Sequence, residues 1–390
     1  MKLIKKIVVS LNLTRLPCVL FYFFRIFSIK NNRIVFVNFS GKGYGDNPKY
    51  IAEELKKGDY DLIWLVNNKK DKSFPKEVKK VKIFSIKACF YLTTAKVWIN
   101  NTRFEHCVVK RKGQYYIQTW HGSFGVKKIE YNAIEKLSEY YKKVMKNDNK
   151  MIDLALSNCE FMTEKIFRES FKYKGEILKV GLPKDDIFSN YDESLIMKIK
   201  KYYNIPYDDR ILLYAPTFRK SYSEINPYDI DFSSLKNTIE EATGDNYSIL
   251  IRMHPRIASK AKELITNNSE LIDVSYYEDV QELICACDIL ITDYSTTMTD
   301  AMIADKTVVL YANDINDYES ERGYVFPYRE LPFKITTSNE ELINVLKNNS
   351  INELKKMPRL FVKNYLKIYE TGKASKKVAE RIKEVVNNSK

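Results

Sequence analysis

From residue 33 the chain alternates short apolar runs, rich in β-branched and aromatic side chains, with longer stretches of helical period. The run at 34–39 has the continuous apolar character of a strand buried on both faces. A glycine-rich turn follows at 41–47, and Pro48 is placed to open a helix running to about Lys57. The same pattern predicts strands at 62–66, 81–84, 95–100, 115–119, 154–157 and 177–180, with helices between them, notably over 133–146 and 160–171. Gly181-Leu182-Pro183 interrupts the series, and the polar stretch 183–209 reads as a linker. A second series then begins, with strands at 211–214, 247–252, 271–274, 288–292 and 308–311. Its helices fall at about 232–243, 256–266, 280–287, 296–304 and 339–347. Strands alternating with helices imply parallel sheets covered on both faces. The expectation is an α/β protein of two doubly wound, Rossmann-like domains facing across a cleft, at 31–182 and 210–365. Residues 366–390 form a charged terminal helix that either packs back on the first domain or frays.

Composition adds three exclusions. With 45% hydrophobic and 29% charged residues the chain carries an ordinary core and is not disordered, and 12 Gly with 11 Pro rule out collagen-like or low-complexity chains. No apolar run approaches the about 20 residues that cross a bilayer, so a polytopic membrane protein is excluded. The 64 Lys plus Arg against 50 Asp plus Glu give +14, which suits an anionic membrane face or phosphorylated substrates. Nucleic acid is disfavoured, because the basic residues are dispersed and no reading motif is present. The charge is uneven: residues 1–30 hold six basic side chains and no acid, and Asp46 is the first acid in the chain. Two readings of 1–30 stand, a basic and aromatic segment lying on an anionic cytoplasmic leaflet, or a first helix docked on the protein's own core. No small-residue cleavage site follows the first apolar run, so a signal peptide is not expected. The six cysteines form no C-x-x-C pair, which points to reduced thiols and the cytoplasm.

Ligands of doubly wound sheets sit at the carboxyl ends of the strands. Two of the three histidines follow expected strands, one in each half: His121 in Trp120-His121-Gly122-Ser123 and His254 in Met253-His254-Pro255. A neutral imidazole can take a proton from a hydroxyl, and a protonated one can brace phosphate oxygens; each is otherwise a hydrogen-bonded structural histidine. Gly122 would let a ligand approach the backbone. Arg252 lies two residues before His254, on the same face of an extended run. The segment from Asp293 through Tyr294 to Ser295, Thr296 and Thr297 turns a strand into a helix, with Ser295 or Thr296 as the cap and Asp300 one to two turns in. Such a helix start suits a pyrophosphate, although hydroxyls there often mean only a cap. Thr217 and Arg219 follow another strand and are candidates for phosphate, with a surface turn as the alternative. No P-loop or G-x-G-x-x-G fingerprint is present. No acid pair at a strand end calls for a metal, so no metal or other cofactor is expected, and Arg, His, hydroxyls and a helix end would stabilise charge.

Taken together these segments are recognisable. The stretch 41–46 with its helix, Gln118-Thr119-Trp120-His121-Gly122, Gly181-Leu182-Pro183, the run from Tyr214 to Arg219, Arg252-Met253-His254-Pro255 and the run from Ile291 to Ser295 occur in an order that resembles the CDP-glycerol glycerophosphotransferases, the teichoic acid primases and polymerases of Gram-positive bacteria. The similarity continues through 314–318 and 322–324. It implies a GT-B-like fold and metal-independent transfer of an alditol phosphate from CDP-glycerol or another CDP-alditol, with release of CMP. The acceptor would be a hydroxyl on an undecaprenyl-diphosphate-linked glycan or polymer, with the enzyme peripheral on the cytoplasmic face of the membrane. It assigns His121 to proton removal and His254 to the donor phosphates. Arg252, Ser295 and Thr296 join them at the pyrophosphate, Asp293 or Asp300 fixes a ribose or alditol hydroxyl, and Asp314, Asp317 and Arg322 are weaker cleft candidates. Lys184-Asp185-Asp186 stands where Arg-Asn-Asp is commoner, and Ser123-Phe124-Gly125 where Thr-Pro-Leu is usual. Other readings are a nucleotide-sugar glycosyltransferase on the same fold and a non-catalytic basic binding module.

Overall fold

The computed structural model describes residues 16–219, 226–253, 257, 264–266, 268, 270–369 and 372–388. Seven strands form the first sheet: β1 Lys30–Val37, β2 Asp61–Val66, β3 Lys79–Lys82, β4 Ala95–Asn100, β5 Tyr115–Gln118, β6 Leu154–Ser157 and β7 Glu176–Lys179. The second holds β8 Arg210–Tyr214, β9 Tyr247–Ile251, β10 Leu271–Asp273, β11 Ile289–Thr292, β12 Thr307–Tyr311 and β13 Lys334–Thr336. Their orders are β3-β2-β1-β4-β5-β6-β7 and β10-β9-β8-β11-β12-β13. The central pairs are parallel: Val35 lies beside Ile63 of β2 and Trp98 of β4, and Leu213 beside Leu250 of β9 and Leu290 of β11. In each sheet the order reverses once, at β1/β4 and at β8/β11, which opens a crevice beyond the strand ends.

The central strands are apolar because both faces are covered. Ile34, Val35, Phe36, Trp64, Val97, Trp98 and Ile99 are inaccessible to solvent. A second core, around Leu212, Ile249, Ile251, Ile291 and Val309, fills the outer side of the second sheet. The lobes meet through packed side chains as well as ion pairs. Phe124 of the first lobe sits in an aromatic cluster with Phe326 (5.2 Å between centroids) and Phe361 (5.3 Å). Thr299 Oγ1 donates to the carbonyl of Phe124, and Lys49 pairs with both Asp279 and Glu282.

Three features go beyond the sequence expectation, each with a local cause. The helix expected over 133–146 is broken into a 3-10 segment, Glu130–Lys136, and a helix, Glu139–Met151, because Ser138 caps the latter by accepting from the amide of Tyr141. The stretch 183–209 runs between β7 and β8 and is folded: it contains the helix Glu193–Tyr203, and Lys184 and Asp185 are buried. β13 is only three residues long and too short to show an alternating pattern. Of the helix expected over 256–266, residues 257 and 264–266 are described, and 264–266 are helical. The terminal helix Ala374–Asn387 returns to the first lobe. Its Val378 and Ile382 are fully buried, and Asp186 accepts from the amides of Ala374 and Ser375.

Residues 1–15 lie outside the described residues. The helix Leu16–Phe23 and the turn Phe24–Ile26 dock by one face, with Phe21 buried and Phe24 and Phe27 in edge contact with Phe90. The other face is apolar and exposed at Val19 (64%), Tyr22, Phe23 and Ile26 (73%). No helix among the described residues is long and apolar enough to cross a membrane.

Candidate active site

The carboxyl ends of both sheets open into one cavity of about 760 Å³. The first lobe contributes residues just after β1 and β5, including Phe39 and His121, together with Asp46 at the start of the helix Asp46–Leu55. The second contributes Thr217 after β8, Arg252 after β9, and Ser295 and Thr296 after β11. Several turns that build the first-lobe wall hold non-glycine residues at positive φ: Phe39 (40°), Ser40 (56°), Asp46 (55°) and Trp120 (52°). Backbone of this kind costs of order 1–3 kcal/mol per residue and persists where surroundings enforce it. At Trp120 the enforcement is visible. Its amide donates to Gln118 Oε1 (2.9 Å), and its carbonyl accepts from Asn47 Nδ2 (3.0 Å).

That turn delivers His121. The ring lies between Phe39 (5.2 Å between centroids) and Trp120 (4.2 Å), with Nδ1 2.7 Å from the main-chain oxygen of Asn101. A carbonyl can only accept, so Nδ1 carries the hydrogen and the lone pair of the neutral ring resides on Nε2. Asn101 is itself fully buried and fixed. Its Nδ2 donates to Asn38 and to Asp46 (3.0 Å), and its Oδ1 accepts from the amide of Phe39. Burial pushes the His121 imidazole down to about 4, with the Lys184 charge acting in the same direction against the Asn101 hydrogen bond. His121 is therefore neutral at pH 7.

Below the floor of the cavity lies a charged cluster. Lys184 is fully buried, with Nζ 2.5 Å from Asp300 and 3.2 Å from Asp185. Burial opposes its charge, but Asp185, Asp300 and Asp46 together raise it above the usual lysine range. Burial pushes Asp46 up to about 7 against the pull of Lys184, and Asp300 up to about 6 against the same charge. Asp300 also accepts from Gln281 Nε2 (3.0 Å). It lines the cavity, but Lys184 and Gln281 already occupy its two oxygens.

The second-lobe wall separates the sequence candidates into two groups. Thr217, Arg252, Ser295 and Thr296 line the cavity. Thr217 Oγ1 and, across the cleft, Ser123 Oγ are buried without a hydrogen-bond partner among the described residues, and both residues line the cavity. Arg252 is anchored by Nη1 to the carbonyls of Val274 (3.0 Å) and Tyr277 (2.6 Å). The helix begins at Thr297, and Ser295 Oγ accepts from its amide (3.3 Å). Arg219, Asp293 and Asp314, in contrast, are buried behind the wall. The Arg219 guanidinium spans Asp314 (2.6 Å) and Asp293 (2.9 Å), donates to the Thr217 carbonyl and lies 4.8 Å over the rings of both Tyr294 and Tyr318. Both oxygens of Asp293 accept from the Thr217 amide at 2.9 Å. These three residues tie together the loops after β8, β11 and β12. Asp317 is exposed on the helix Ile315–Arg322, away from the cavity lining, and Arg322 ends that helix. Gly122 lines the cavity, yet what approaches it is protein: a Cβ there would meet Thr296 Cγ2 at 3.1 Å, and the same holds for Gly125. His254 lies outside the described residues. Among the described residues no group of His, Cys, Asp and Glu is arranged to hold a metal ion.

Asp46, Asn101 and Lys184 were not read as site residues from the sequence. The available signals were Asp46 as the first acid and Lys184 as a departure in the turn after Gly181. Asn101 holds His121 through its backbone, a contact that any residue could make and that leaves no sequence signal.

The comparisons agree with this geometry. The family model described as CDP-glycerol:poly(glycerophosphate) glycerophosphotransferase matches residues 19–384. A teichoic acid glycerol-phosphate transferase of Staphylococcus aureus is 32% identical over 366 residues, 90% of this chain and 92% of that protein. A teichoic acid poly(glycerol phosphate) polymerase of Staphylococcus epidermidis is 34% identical over 333 residues, 82% of this chain, which spans only 46% of that longer protein. The solved structure of the wall teichoic acid polymerase TagF superposes with a TM-score of 0.82 at 29% identity, covering 97% of this chain and 96% of that one. A UDP-GlcNAc 2-epimerase from Methanocaldococcus jannaschii (TM-score 0.51, 14% identity, 90% of this chain and 99% of that one) shares the fold alone. With its two parallel sheets, its GT-B-like fold and the match over almost its whole length, the chain belongs to the CDP-glycerol glycerophosphotransferase family.

Proposed function

We propose that the protein transfers glycerol phosphate, or a related alditol phosphate, from a CDP-alditol to a hydroxyl of a lipid-linked acceptor in the synthesis of teichoic acid or a related surface polymer, releasing CMP. The observation that carries this reading is His121: a neutral imidazole, fixed through Nδ1, whose Nε2 lone pair is left for the cavity between the lobes. In the reaction proposed, Nε2 takes the proton of the acceptor hydroxyl as its oxygen bonds to the phosphorus bearing the alditol. The bond from that phosphorus to the bridging oxygen breaks on the opposite side, and its electron pair leaves with CMP. Arg252 and the hydroxyls of Thr217, Ser295 and Thr296 face the donor diphosphate from the second lobe, and the family resemblance adds His254. No metal is part of this proposal. The exposed apolar face at Val19, Tyr22, Phe23 and Ile26, next to a strongly basic start of the chain, supports peripheral attachment to the cytoplasmic face of an anionic membrane. The test is to incubate the protein with CDP-glycerol, CDP-ribitol, UDP-sugar and GDP-sugar donors and a lipid-linked disaccharide, and to identify the nucleotide freed. CMP with a mass gain of alditol phosphate is expected; UDP or GDP release would make the protein a glycosyltransferase instead.

A further inference from the structure

Basic residues occur along the whole chain, but the net charge is concentrated. Residues 1–30 hold six basic side chains and no acid, and residues 68–87 hold eight lysines against Asp71 and Glu77, so +6 stands on each and together they carry +12 of the net +14. The fold brings the second segment beside the continuation of the first. Residues 68–87 run from the end of β2 through β3, the edge strand of the first sheet, to the start of the helix Ile86–Thr94. That helix packs against the helix Leu16–Phe23 and the turn after it, with the Phe90 ring 5.6 Å from Phe24 and 5.4 Å from Phe27 between centroids. Apolar side chains stand out on the same flank: Phe84 is 71% exposed and Ile86 64%. Phe84 also sits at φ 57°, a costly backbone for a bulky residue, yet its ring gains no burial in return. Lys69, Lys72, Lys79, Lys82 and Lys87 of the same segment are exposed. This corner is close to the cleft. The Ile83 amide donates to the Val66 carbonyl (2.9 Å), and the next residue along β2, Asn67, donates its amide to the carbonyl of Gly41 (2.7 Å). Gly41 belongs to the loop after β1 that lines the cavity through Phe39 and Lys42. With strands about 4.8 Å apart, the corner after β3 stands roughly 10 Å from that loop.

We propose that the corner between β3 and the helix Ile86–Thr94, with Phe84, Ile86 and the lysines of 68–87, is a second contact with an anionic bilayer, which acts with the helix Leu16–Phe23 to lay the first lobe on the membrane beside the mouth of the cleft. This inference rests on the reading of the protein as a peripheral enzyme with a lipid-linked acceptor. Charge sets the sign of the partner, and the apolar side chains set its kind. Nucleic acid or a free polyanion would engage the lysines and leave Phe84, Ile86, Val19 and Ile26 in water, whereas the interface of an anionic leaflet takes both. One contact would leave the lobe free to tilt. Two fix its orientation, with the loop that carries Phe39 and Lys42 next to the headgroups, where the diphosphate of a lipid-linked acceptor lies.

The experiment is sedimentation of the full chain with vesicles of equal parts phosphatidylglycerol and phosphatidylcholine, and with vesicles of phosphatidylcholine alone. Wild type should bind the anionic vesicles and lose affinity as salt is added. Lys69→Gln, Lys82→Gln and Lys87→Gln combined should weaken binding at least about 30-fold, at roughly fivefold per charge near an anionic surface. Phe84→Asn with Ile86→Ser should weaken it about tenfold or more, asparagine being at ease at positive φ. In Phe84→Trp, emission should shift to the blue on anionic vesicles, against native tryptophans that are all buried. The glutamine and the Phe84→Asn/Ile86→Ser variants should release CMP more slowly with an acceptor embedded in vesicles, and at the wild-type rate with a short-chain, water-soluble acceptor. Unchanged vesicle affinity in both sets of variants, no blue shift, or an equal loss of rate on the two acceptors would each overturn the proposal. Weakened binding to duplex DNA with vesicle binding intact would overturn it too. If Tyr22→Ser with Phe23→Ser abolishes vesicle binding while the corner variants keep it, peripheral attachment stands and the second contact fails; if wild type does not bind anionic vesicles, both fail. If the corner behaves as stated but UDP or GDP is the nucleotide released, the contact stands and the alditol-phosphate reading fails.

Discussion

Replacing Arg219 by methionine should unfold the second lobe more readily, without being a specific lesion in donor binding. The side chain is buried, with its Nε and Nη2 on the two oxygens of Asp314 (2.6 and 3.1 Å), Nη2 also on Asp293 (2.9 Å) and Nη1 on the Thr217 carbonyl (2.7 Å). Methionine fills most of the volume but removes the only cation that these bonds supply to two buried carboxylates. Breaking a buried pair from one side costs about 3–5 kcal/mol, because the remaining charge is left uncompensated. With a urea slope of about 2–3 kcal/mol per molar, the lobe's midpoint should fall by roughly 1–2 M. Replacing all three residues together, Arg219→Met with Asp293→Asn and Asp314→Asn, should recover much of the loss, since neither charge then remains. The assay is urea unfolding followed by intrinsic fluorescence and circular dichroism, with KM for CDP-glycerol measured in the native range. A folded Arg219→Met protein with a wild-type midpoint but a KM raised tenfold or more would refute the reasoning and return Arg219 to the donor site.

Three further outcomes are expected. His121→Ala should lower kcat by about 10²–10⁴, the usual worth of a general base, while the melting temperature and donor affinity stay near wild type. Gly125→Ala should cost about 1–3 kcal/mol by overpacking, since its Cβ would stand 3.1 Å from Thr296 Cγ2, and Thr296→Ser, which removes that methyl, should relieve it in the double mutant when both are compared by thermal unfolding. Asp46 should make the fold less stable as pH rises. Its carboxyl is raised to about 7 in the folded state, so the folded protein holds a proton that the unfolded chain gives up near 4, and the associated stability is lost between about pH 4 and 7. Asp46→Asn removes this slope, so the stability of wild type relative to the variant should decline from pH 5 to pH 8 in urea titrations. A flat difference would contradict it.

Most of the scaffold was legible because a strand buried on both faces must be continuously apolar. Runs such as Ile34-Val35-Phe36-Val37 and Ile289-Leu290-Ile291 have few alternative placements. The strand-end rule then led to His121, Thr217, Arg252, Ser295 and Thr296, which all line the cleft. It also pointed to Arg219 and Asp293, and the resemblance to Asp314, which all lie buried behind the wall. A conformational tie between strand-end loops uses the same arginine, carboxylate and hydroxyl chemistry as a phosphate site, and only burial and pairing tell them apart. The reverse error occurred at Lys184. A charged residue after Pro183 looks solvent-exposed in sequence, and its burial depends on carboxylates brought from positions 46 and 300 by the fold. Asn101 was invisible for a third reason, since its bond to His121 is made by a main-chain carbonyl that any residue carries. Gly122 reads in sequence as room for a ligand, but the group that needs the space there, and at Gly125, is Thr296 of the opposite lobe.

The central claim is that a neutral His121 in the cleft between the lobes removes the acceptor proton during alditol-phosphate transfer. Its most direct test is single-turnover release of CMP from radiolabelled CDP-glycerol, with a lipid-linked acceptor present and absent, in wild type and His121→Ala. Wild type should release CMP only with acceptor, in step with growth of the lipid product, and the alanine variant should bind donor equally well yet release CMP at least about 100-fold more slowly. Release at the wild-type rate by the variant would contradict the account, as would release that does not depend on acceptor.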